Sequence, residues 1–442
     1  MIHCYQFREH NIVIDVNSGA IHLVSDLMYQ LLSDPSTVFH FPKEEVAEAT
    51  EEIQALAEAG MLFTDDEQIT TDMLEGRGAV IKAMCLHVAH DCNMACRYCF
   101  GDTGAFDGPR SLLSLETGKQ AIDFLLAHSG TRRNLEIDFF GGEPLLNFDV
   151  VKALVAYGRE AEATYGKNIR FTITTNGLLL DDKKAEFLNE TMDNVILSID
   201  GRKEVNDKMR PTPGGKGTYD VVVNNFQRFA ANRKGTYYVR GTFTADNLDF
   251  AEDVRHLASL GFQNISVEPV VTDSSKSYAL KEEHLPRIFQ EYDALAEQYL
   301  DAALRGEPFS FFHFRIDLTQ GPCVVKRVSG CGAGTEYVAV TPEGDLYPCH
   351  QFVGNPEFLL GNVKDPVFEN RLYDRFNRAH IYNKDECRDC WAKFYCSGGC
   401  HANAYHSNGD LMKPYYLGCE TERKRLECAI GIQAVLSCHA EG

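Results

Sequence analysis

The placement of the cysteines constrains this chain more than any other feature. Fifteen cysteines are unevenly spread through 442 residues. Cys4 and Cys85 are isolated, Cys92, Cys96 and Cys99 fall within eight residues, and ten more crowd into the last 120. Disulfide frameworks belong to small secreted domains, whereas this chain is long and its start, Met1 to Asn11, has no apolar signal core. A cytosolic setting with reduced thiols is therefore expected, and clustered thiols there point to metal or iron–sulfur ligation. The formal charge of −21 disfavours a nucleic-acid partner. No run of eighteen apolar residues suggests a membrane span.

Periodicity divides the chain into three domains. Residues 1–75 read as short strands (Tyr5–Phe7, Ile12–Val16, Ala20–Val24) followed by helices (Asp26–Leu32, Lys43–Ala59). The second helix carries an apolar stripe of Val46, Ala49, Ile53, Leu56 and Ala57. Thr64–Gly78 reads as a linker. Residues 79–305 alternate strands with helices: strands at Ala83–Val88, Leu135–Phe140, Arg170–Thr174, Asn194–Ile199, Tyr237–Thr242 and Asn264–Glu268, with helices of ten or more residues between them. Such alternation implies a parallel sheet with right-handed crossovers, either a β/α barrel or an open doubly wound sheet. In both, chemistry sits at the carboxyl ends of the strands. Residues 306–442 are rich in cysteine, glycine and aromatics, with one long helix near Thr421–Leu436, and need a staple.

Cys92-x3-Cys96-x2-Cys99 follows the first of the alternating strands. A structural zinc site wants four ligands, usually as two separated pairs, so zinc would have to borrow a ligand such as His90. Three thiolates on a four-iron cluster would leave one iron open. This spacing, with Tyr98 before the last cysteine, resembles the radical S-adenosylmethionine (SAM) signature. Further matches follow in order: Gly141-Gly142-Glu143 after the second strand, Thr175-Asn176-Gly177 after the third, and Ser198-Ile199-Asp200-Gly201 after the fourth. Asn206, Asp207 and Arg210 come next, then Gly217-Thr218-Tyr219.

The resemblance implies an α/β fold: a partial (β/α)6 TIM-like barrel, a winged-helix-like N-terminal domain and a C-terminal iron–sulfur domain. It implies that the open iron chelates SAM, that Gly141, Gly142 and Glu143 approach the ligand, and that Tyr98 lies near its adenine. Ser198 and Arg210 are candidates for its carboxylate and ribose. Reductive cleavage of the sulfonium would then allow hydrogen abstraction from an unactivated carbon.

The later cysteines, Cys331-x12-Gly344-x4-Cys349, Cys387-x2-Cys390-x5-Cys396-x3-Cys400 and Cys419, resemble the SPASM extension of peptide-modifying radical enzymes, with two auxiliary 4Fe–4S clusters. By that resemblance Cys331, Cys349 and Cys400 hold one cluster and Cys387, Cys390, Cys396 and Cys419 the other. Cys323 is a further candidate for the first of these, which otherwise keeps an open iron. Cys428 and Cys438 are expected to pack, as are Cys4 and Cys85. The N-terminal unit resembles the leader-recognition domain of ribosomal peptide maturases, which takes up peptide along a strand edge. Asn11–Val24, His87–Phe100 and Gly330–Gly354 resemble the maturases of the six-cysteine peptide SCIFF, which form thioethers. The implied cofactors are SAM and three 4Fe–4S clusters. The implied partners are a cysteine-rich precursor peptide and an external electron donor such as a flavodoxin or ferredoxin. A sulfatase-maturing enzyme, a non-catalytic iron–sulfur scaffold and a zinc protein are the alternatives.

Overall fold

The computed structural model describes residues 1–66, 80–307, 309–318, 328–365 and 367–441. Cys323 and most of the expected linker lie outside the described residues. The N-terminal strands β1 (Ile2–Phe7), β2 (His10–Asp15) and β3 (Ile21–Val24) form an antiparallel sheet in that order, leaving one edge of β3 without a strand partner among the described residues. Helices Asp26–Ser33 and Lys43–Glu58 follow, the first capped by the Ser25 hydroxyl accepting from the Met28 amide. The apolar stripe of the second is only half-buried, although its helical spacing leads one to expect a covered face.

The larger sheet begins with β4 (Ala83–His90), joined by a two-residue antiparallel β5 (Ser111–Leu112). Then come β6 (Asn134–Gly141), β7 (Asn168–Thr175), β8 (Asn194–Ser198), β9 (Thr236–Phe243) and β10 (Asn264–Pro269). Strands β4, β6, β7, β8, β9 and β10 lie side by side and parallel. Helices Leu115–His128, Phe148–Tyr165, Asp182–Thr191, Tyr219–Ala231, Phe250–Ser259 and Leu285–Leu304 lie between or after them. This is the six-unit TIM-like barrel, and β10 does not pair with β4, so it is open along one side. A short helix, Lys203–Met209, falls inside what reads from sequence as a loop.

Two strands from the C-terminal region extend this sheet. β11 (Ser310–Phe311) adds beside β10, and β12 (Tyr337–Val340) adds in parallel beside β4. β13 (Asp345–Tyr347) and β14 (Gly361–Asn362) continue antiparallel from β12. The C-terminal domain is therefore built onto the barrel wall. The final helix, Tyr416–Glu441, is longer than its sequence pattern indicates.

Alternation along the parallel strands gives each a helix-facing and a lumen-facing row. Leu135, Ile137, Phe139, Phe171, Ile173, Val195, Leu197 and Val239 are fully buried under the helices. The other row is polar: Cys85 pairs with Asp138, His87 with Phe140, Ser198 with Arg240 and Thr242 with Glu268.

The N-terminal sheet is fastened to the rest. The His3 ring stacks on Trp391 at 4.0 Å and its Nε2 lies 3.0 Å from Glu427. The Tyr5 hydroxyl donates to the Glu427 carbonyl, and Arg8 pairs with Asp301 at 2.9 Å. Val16 packs in a small core with Val328, Ile381, Cys387 and Phe394. Lys393 is buried and paired with Asp66 at 2.7 Å.

Candidate active site

The loop after β4 carries Cys92, Cys96 and Cys99, and it is held from three sides. The Met94 amide donates to Cys92 Sγ at 3.4 Å, and Asn176 Nδ2 does so at 3.6 Å. The Ala95 and Arg97 amides donate to the carbonyls of Pro211 and Met209, both at 2.8 Å. The three thiols influence one another electrostatically. Burial, helped by Glu143, pushes Cys92 up to about 12. A thiol held neutral by desolvation is one that ionises when a cation or metal replaces the lost water.

Gly142 packs against this loop. A Cβ there would lie 2.2 Å from the Asp91 carbonyl oxygen, closer than any side chain tolerates. The Gly142 and Glu143 amides donate to Ala89 and Asp91 at 2.8 and 2.9 Å. Glu143 is fully buried. It accepts from the Leu145 amide at 3.0 Å, the Thr175 hydroxyl at 2.8 Å and the Asn176 amide at 2.7 Å. Its carboxylate thus ties the ends of β6 and β7 together, and Asn176 passes that order on to Cys92.

Tyr98 and Arg210 belong to a buried polar brace. The Tyr98 hydroxyl donates to the Asp200 carboxylate, whose oxygens lie 2.7 and 2.8 Å away, and accepts from Arg210 Nη1 at 2.8 Å. Asp200 also accepts from the Thr242 amide at 3.0 Å. Burial lifts Asp200 to about 6 against the pull of Arg210 and Tyr98. Arg210 is not a surface ion pair, being 8% exposed, and its Nε has no hydrogen-bond partner among the described residues. Asp207 accepts from the Thr218 and Tyr219 amides at 2.7 and 2.8 Å, so the stretch around Gly217 is locked to the helix ending at Arg210. Ser198 ends β8 beside Arg240.

The C-terminal thiols fall into two further sets by their mutual electrostatic influence. Cys331, Cys349 and Cys400 form one. Cys387, Cys390, Cys396 and Cys419 form the other and line a cavity of about 490 Å³ with Lys393, Gly398, Glu422 and Arg423. Burial pushes Cys387 to about 11 and Cys396 to about 12. All described cysteines are free thiols. Among the described residues, no group of three or more His, Cys, Asp or Glu side chains is gathered as for a single metal ion. Three separate sets of neighbouring thiols, one lining a cavity, are a donor chemistry that fits multi-iron clusters. Cys85 and Cys428 are buried and Cys4 half-buried, but Cys438 is exposed rather than packed.

The first and second thiol sets approach each other through aromatic side chains. Phe100, next to Cys99, and His350, next to Cys349, have ring centroids 5.4 Å apart, and Phe140 lies 5.1 Å from His350. Sequence reading did not single out Asp200, Asn176, His350, Glu268 or Arg425. All of them stand inside stretches it quoted, so their position was signalled and their role was not. Glu268 faces His313 and Arg425 from the last barrel strand, and both hold it far below the usual carboxylate range. A cavity of about 710 Å³ opens beside this group, between the open barrel side and the final helix.

Residues 86–258 match the radical SAM superfamily, and residues 331–391 match the SPASM iron–sulfur cluster-binding domain. An uncharacterised protein of Methanocaldococcus jannaschii is 32% identical over 190 residues, 42% of this chain and 62% of that protein's length. A cysteine-type anaerobic sulfatase-maturating enzyme of Clostridium perfringens is 25% identical over 76% of this chain and 93% of its own. The crystal structure of Streptococcus suis SuiB bound to precursor peptide SuiA shares the fold, with TM-score 0.54 at 16% identity, over 93% of this chain and 97% of that one. The chain thus has a radical SAM domain in a TIM-like α/β fold, followed by a SPASM domain. Its relatives include a maturase that acts on another protein. No helix among the described residues is long and apolar enough to cross a membrane.

Proposed function

We propose that the chain is a radical SAM maturase that joins a cysteine sulfur to a carbon of an acceptor residue in a ribosomally made, cysteine-rich peptide. In this reading Cys92, Cys96 and Cys99 hold the cluster that binds SAM. Cys331, Cys349 and Cys400 hold one auxiliary cluster, and Cys387, Cys390, Cys396 and Cys419 the other. When bound, the first cluster and SAM supply hydrogen-atom abstraction. Asn176 and the Met94 amide steady Cys92, while Tyr98, Asp200 and Arg210 fix the cysteine loop against the ends of β8 and β9. Glu143, anchored by three donors, keeps a carboxylate at the mouth of the barrel for the SAM ammonium.

The observation that carries the reading is the meeting of Phe100, His350 and Phe140. It brings the loop of the first thiol set next to the loop of the second. A peptide that spans the two loops would be held at both, and such orientation contributes to rate. The exposed Cys331 and Cys400 are consistent with a set that a peptide thiolate can reach. The N-terminal unit supplies the leader site. Leu23 on β3, Phe39 before helix Lys43–Glu58 and Phe63 after it are exposed apolar side chains.

The experiment is anaerobic incubation of the reconstituted protein with SAM, reductant and a cysteine-rich precursor peptide. Each link removes one hydrogen atom from carbon, and a proton from sulfur with one electron passing to the protein. The peptide mass therefore falls by two hydrogens, and one cysteine resists alkylation. An unchanged mass, with all cysteines alkylatable, overturns the reading. Conversion of a cysteine to an aldehyde instead would favour the sulfatase-maturing alternative, which the Clostridium perfringens relative brings forward.

A further inference from the structure

Lys384 is fully buried, and the only side-chain hydrogen bond it makes among the described residues is from Nζ to the Gly398 carbonyl, at 2.7 Å. No carboxylate among the described residues lies within ion-pair distance of it. The contrast with Lys393, equally buried but paired with Asp66, shows what a buried lysine normally requires. A carbonyl oxygen does not neutralise an ammonium, and a buried charge without a counter-charge is costly. The counter-charge must come from something else nearby.

Lys384 feels the charge of cysteine sulfur from two sets at once, and its one side-chain hydrogen bond is to the Gly398 carbonyl on the segment that joins them. Burial lowers its affinity for a proton, and Cys387, Cys396, Cys419 and Cys400 act in the opposite direction. In return Lys384 favours the thiolates of Cys387, Cys400 and Cys419. The local backbone explains the double placement. Lys384 stands at the start of the helical turn Asp385–Arg388, and the Cys387 amide donates to its carbonyl at 3.0 Å. Gly398 lies on the crossing from Cys396, in one set, to Cys400, in the other. Ser397, Gly398 and Gly399 all have positive φ there, so the chain reverses sharply, and the Gly398 carbonyl receives the Lys384 ammonium.

We propose that Lys384 is a charge-tuning residue shared by the two auxiliary iron–sulfur sites, its buried ammonium raising the reduction potential of both. An electron added to either site adds negative charge, and a fixed cation in a poorly polarisable interior favours the reduced form. Because one ammonium serves both sites, reduction of one weakens its help to the other. Lys384 touches neither substrate nor reacting atoms and acts only through the sulfur ligands. The inference rests on the reading that both thiol sets hold clusters.

The test uses the full chain with Cys92, Cys96 and Cys99 replaced by alanine, so that only auxiliary clusters report. Iron and sulfide content is measured first, and failure of this parent to hold two clusters would count against the cluster reading rather than against Lys384. Midpoint potentials are then followed by electron paramagnetic resonance in Lys384→Met, Lys384→Gln and Lys384→Arg. Glutamine keeps a donor for the Gly398 carbonyl without the charge. The expected result is a shift of both couples to more negative potential in the methionine and glutamine variants, with arginine close to the parent. Loss of iron from the two neutral variants, with retention in the arginine variant, would also support the need for charge. Unchanged potentials with full iron content would overturn the proposal, and so would a shift confined to one cluster. Loss of iron from all three variants alike would make Lys384 a structural pin and overturn it too.

Discussion

Asp138 offers a test of the barrel lumen that needs no cofactor. It faces inward from β6, paired in register with Cys85, and its Oδ1 is sealed from solvent with no hydrogen-bond partner among the described residues. Burial lifts it from 3.8 to about 7, against the pull of Arg240. An aspartate raised in the folded state favours folding while protonated and loses that advantage as pH rises. The loss begins near the unfolded pKa and is complete above the folded one. At 1.36 kcal/mol per pK unit, the full cost above pH 7 is roughly 4 kcal/mol, and water in the lumen makes this a ceiling. Linkage with these two pKa values puts about 3 kcal/mol of the cost in place by pH 6, and roughly 1 kcal/mol more accrues between pH 6 and pH 9. Asp138→Asn removes the titration and leaves a pH-independent difference. The stability gain of the asparagine variant over the parent should therefore widen as pH rises, by about 1 kcal/mol over that range. The assay is paired thermal unfolding under anaerobic conditions in buffers from pH 6 to pH 9. A difference that stays flat over this range, whatever its sign, would refute the assignment of a raised pKa to Asp138.

Three other outcomes are expected. Replacing Cys92, Cys96 and Cys99 together by alanine should abolish 5′-deoxyadenosine formation while iron remains on the C-terminal thiols, as read by product analysis and iron content; normal cleavage of SAM would sink the assignment. Arg210→Met takes the cation away from buried Asp200, which keeps the Tyr98 hydroxyl and Thr242 amide as donors and escapes part of the charge cost by taking up a proton, so the loss should reach roughly 3 kcal/mol at most, and adding Asp200→Asn should recover much of it; thermal unfolding of the two single variants and the double variant checks this, with additive losses as the contrary result. Leu23→Asp with Phe39→Asp, which alter exposed side chains of the N-terminal unit, should weaken precursor binding at least tenfold and leave uncoupled SAM cleavage unchanged; unaltered peptide affinity by fluorescence anisotropy would remove the leader role from this face.

What the sequence made legible was what depends on short spacing. Six strand segments with helices between them specify parallel units because apolar periodicity changes from two to 3.6 along the chain. Cys92, Cys96 and Cys99 are neighbours in sequence, so their grouping can be read directly. The brace around Tyr98 was not legible. Tyr98, Asp200 and Arg210 come from three separate segments, and only folding brings one carboxylate within reach of a phenol 102 residues away. Nor was Lys384, whose setting depends on the Gly398 segment folding back onto it. The helix Lys43–Glu58 shows the opposite failure. Its periodicity is strong, yet its apolar stripe stays half-exposed, because a pattern records that a face is apolar and not what covers it. Cooperation between β12 and the barrel was also hidden, since a four-residue strand carries no signal of its distant partner.

The fastening of the N-terminal sheet constrains how a peptide can be handled. Contacts run from β1 to Trp391 and Glu427, from Arg8 to Asp301, and from Val16 to the small core that includes Cys387. These partners belong to the C-terminal region and to the helix Leu285–Leu304 beside the barrel, so the sheet does not swing as an independent arm. Removing residues 1–75 would uncover the wall next to Cys387, so such a truncation would test cluster integrity and recognition together. Substitutions on the outer face separate the two. A peptide anchored on β3 and processed near Phe140 must then bridge a fixed separation with its own chain. Ordering a longer connecting segment costs only slowly with length, about 0.6 kcal/mol per doubling, while one too short to span is excluded outright. On the reading proposed above, where a cross-link forms is then set by the reach of the peptide from a stationary anchor. On that same reading, selection among residues within that reach falls to the side chains that meet at Phe100, Phe140 and His350.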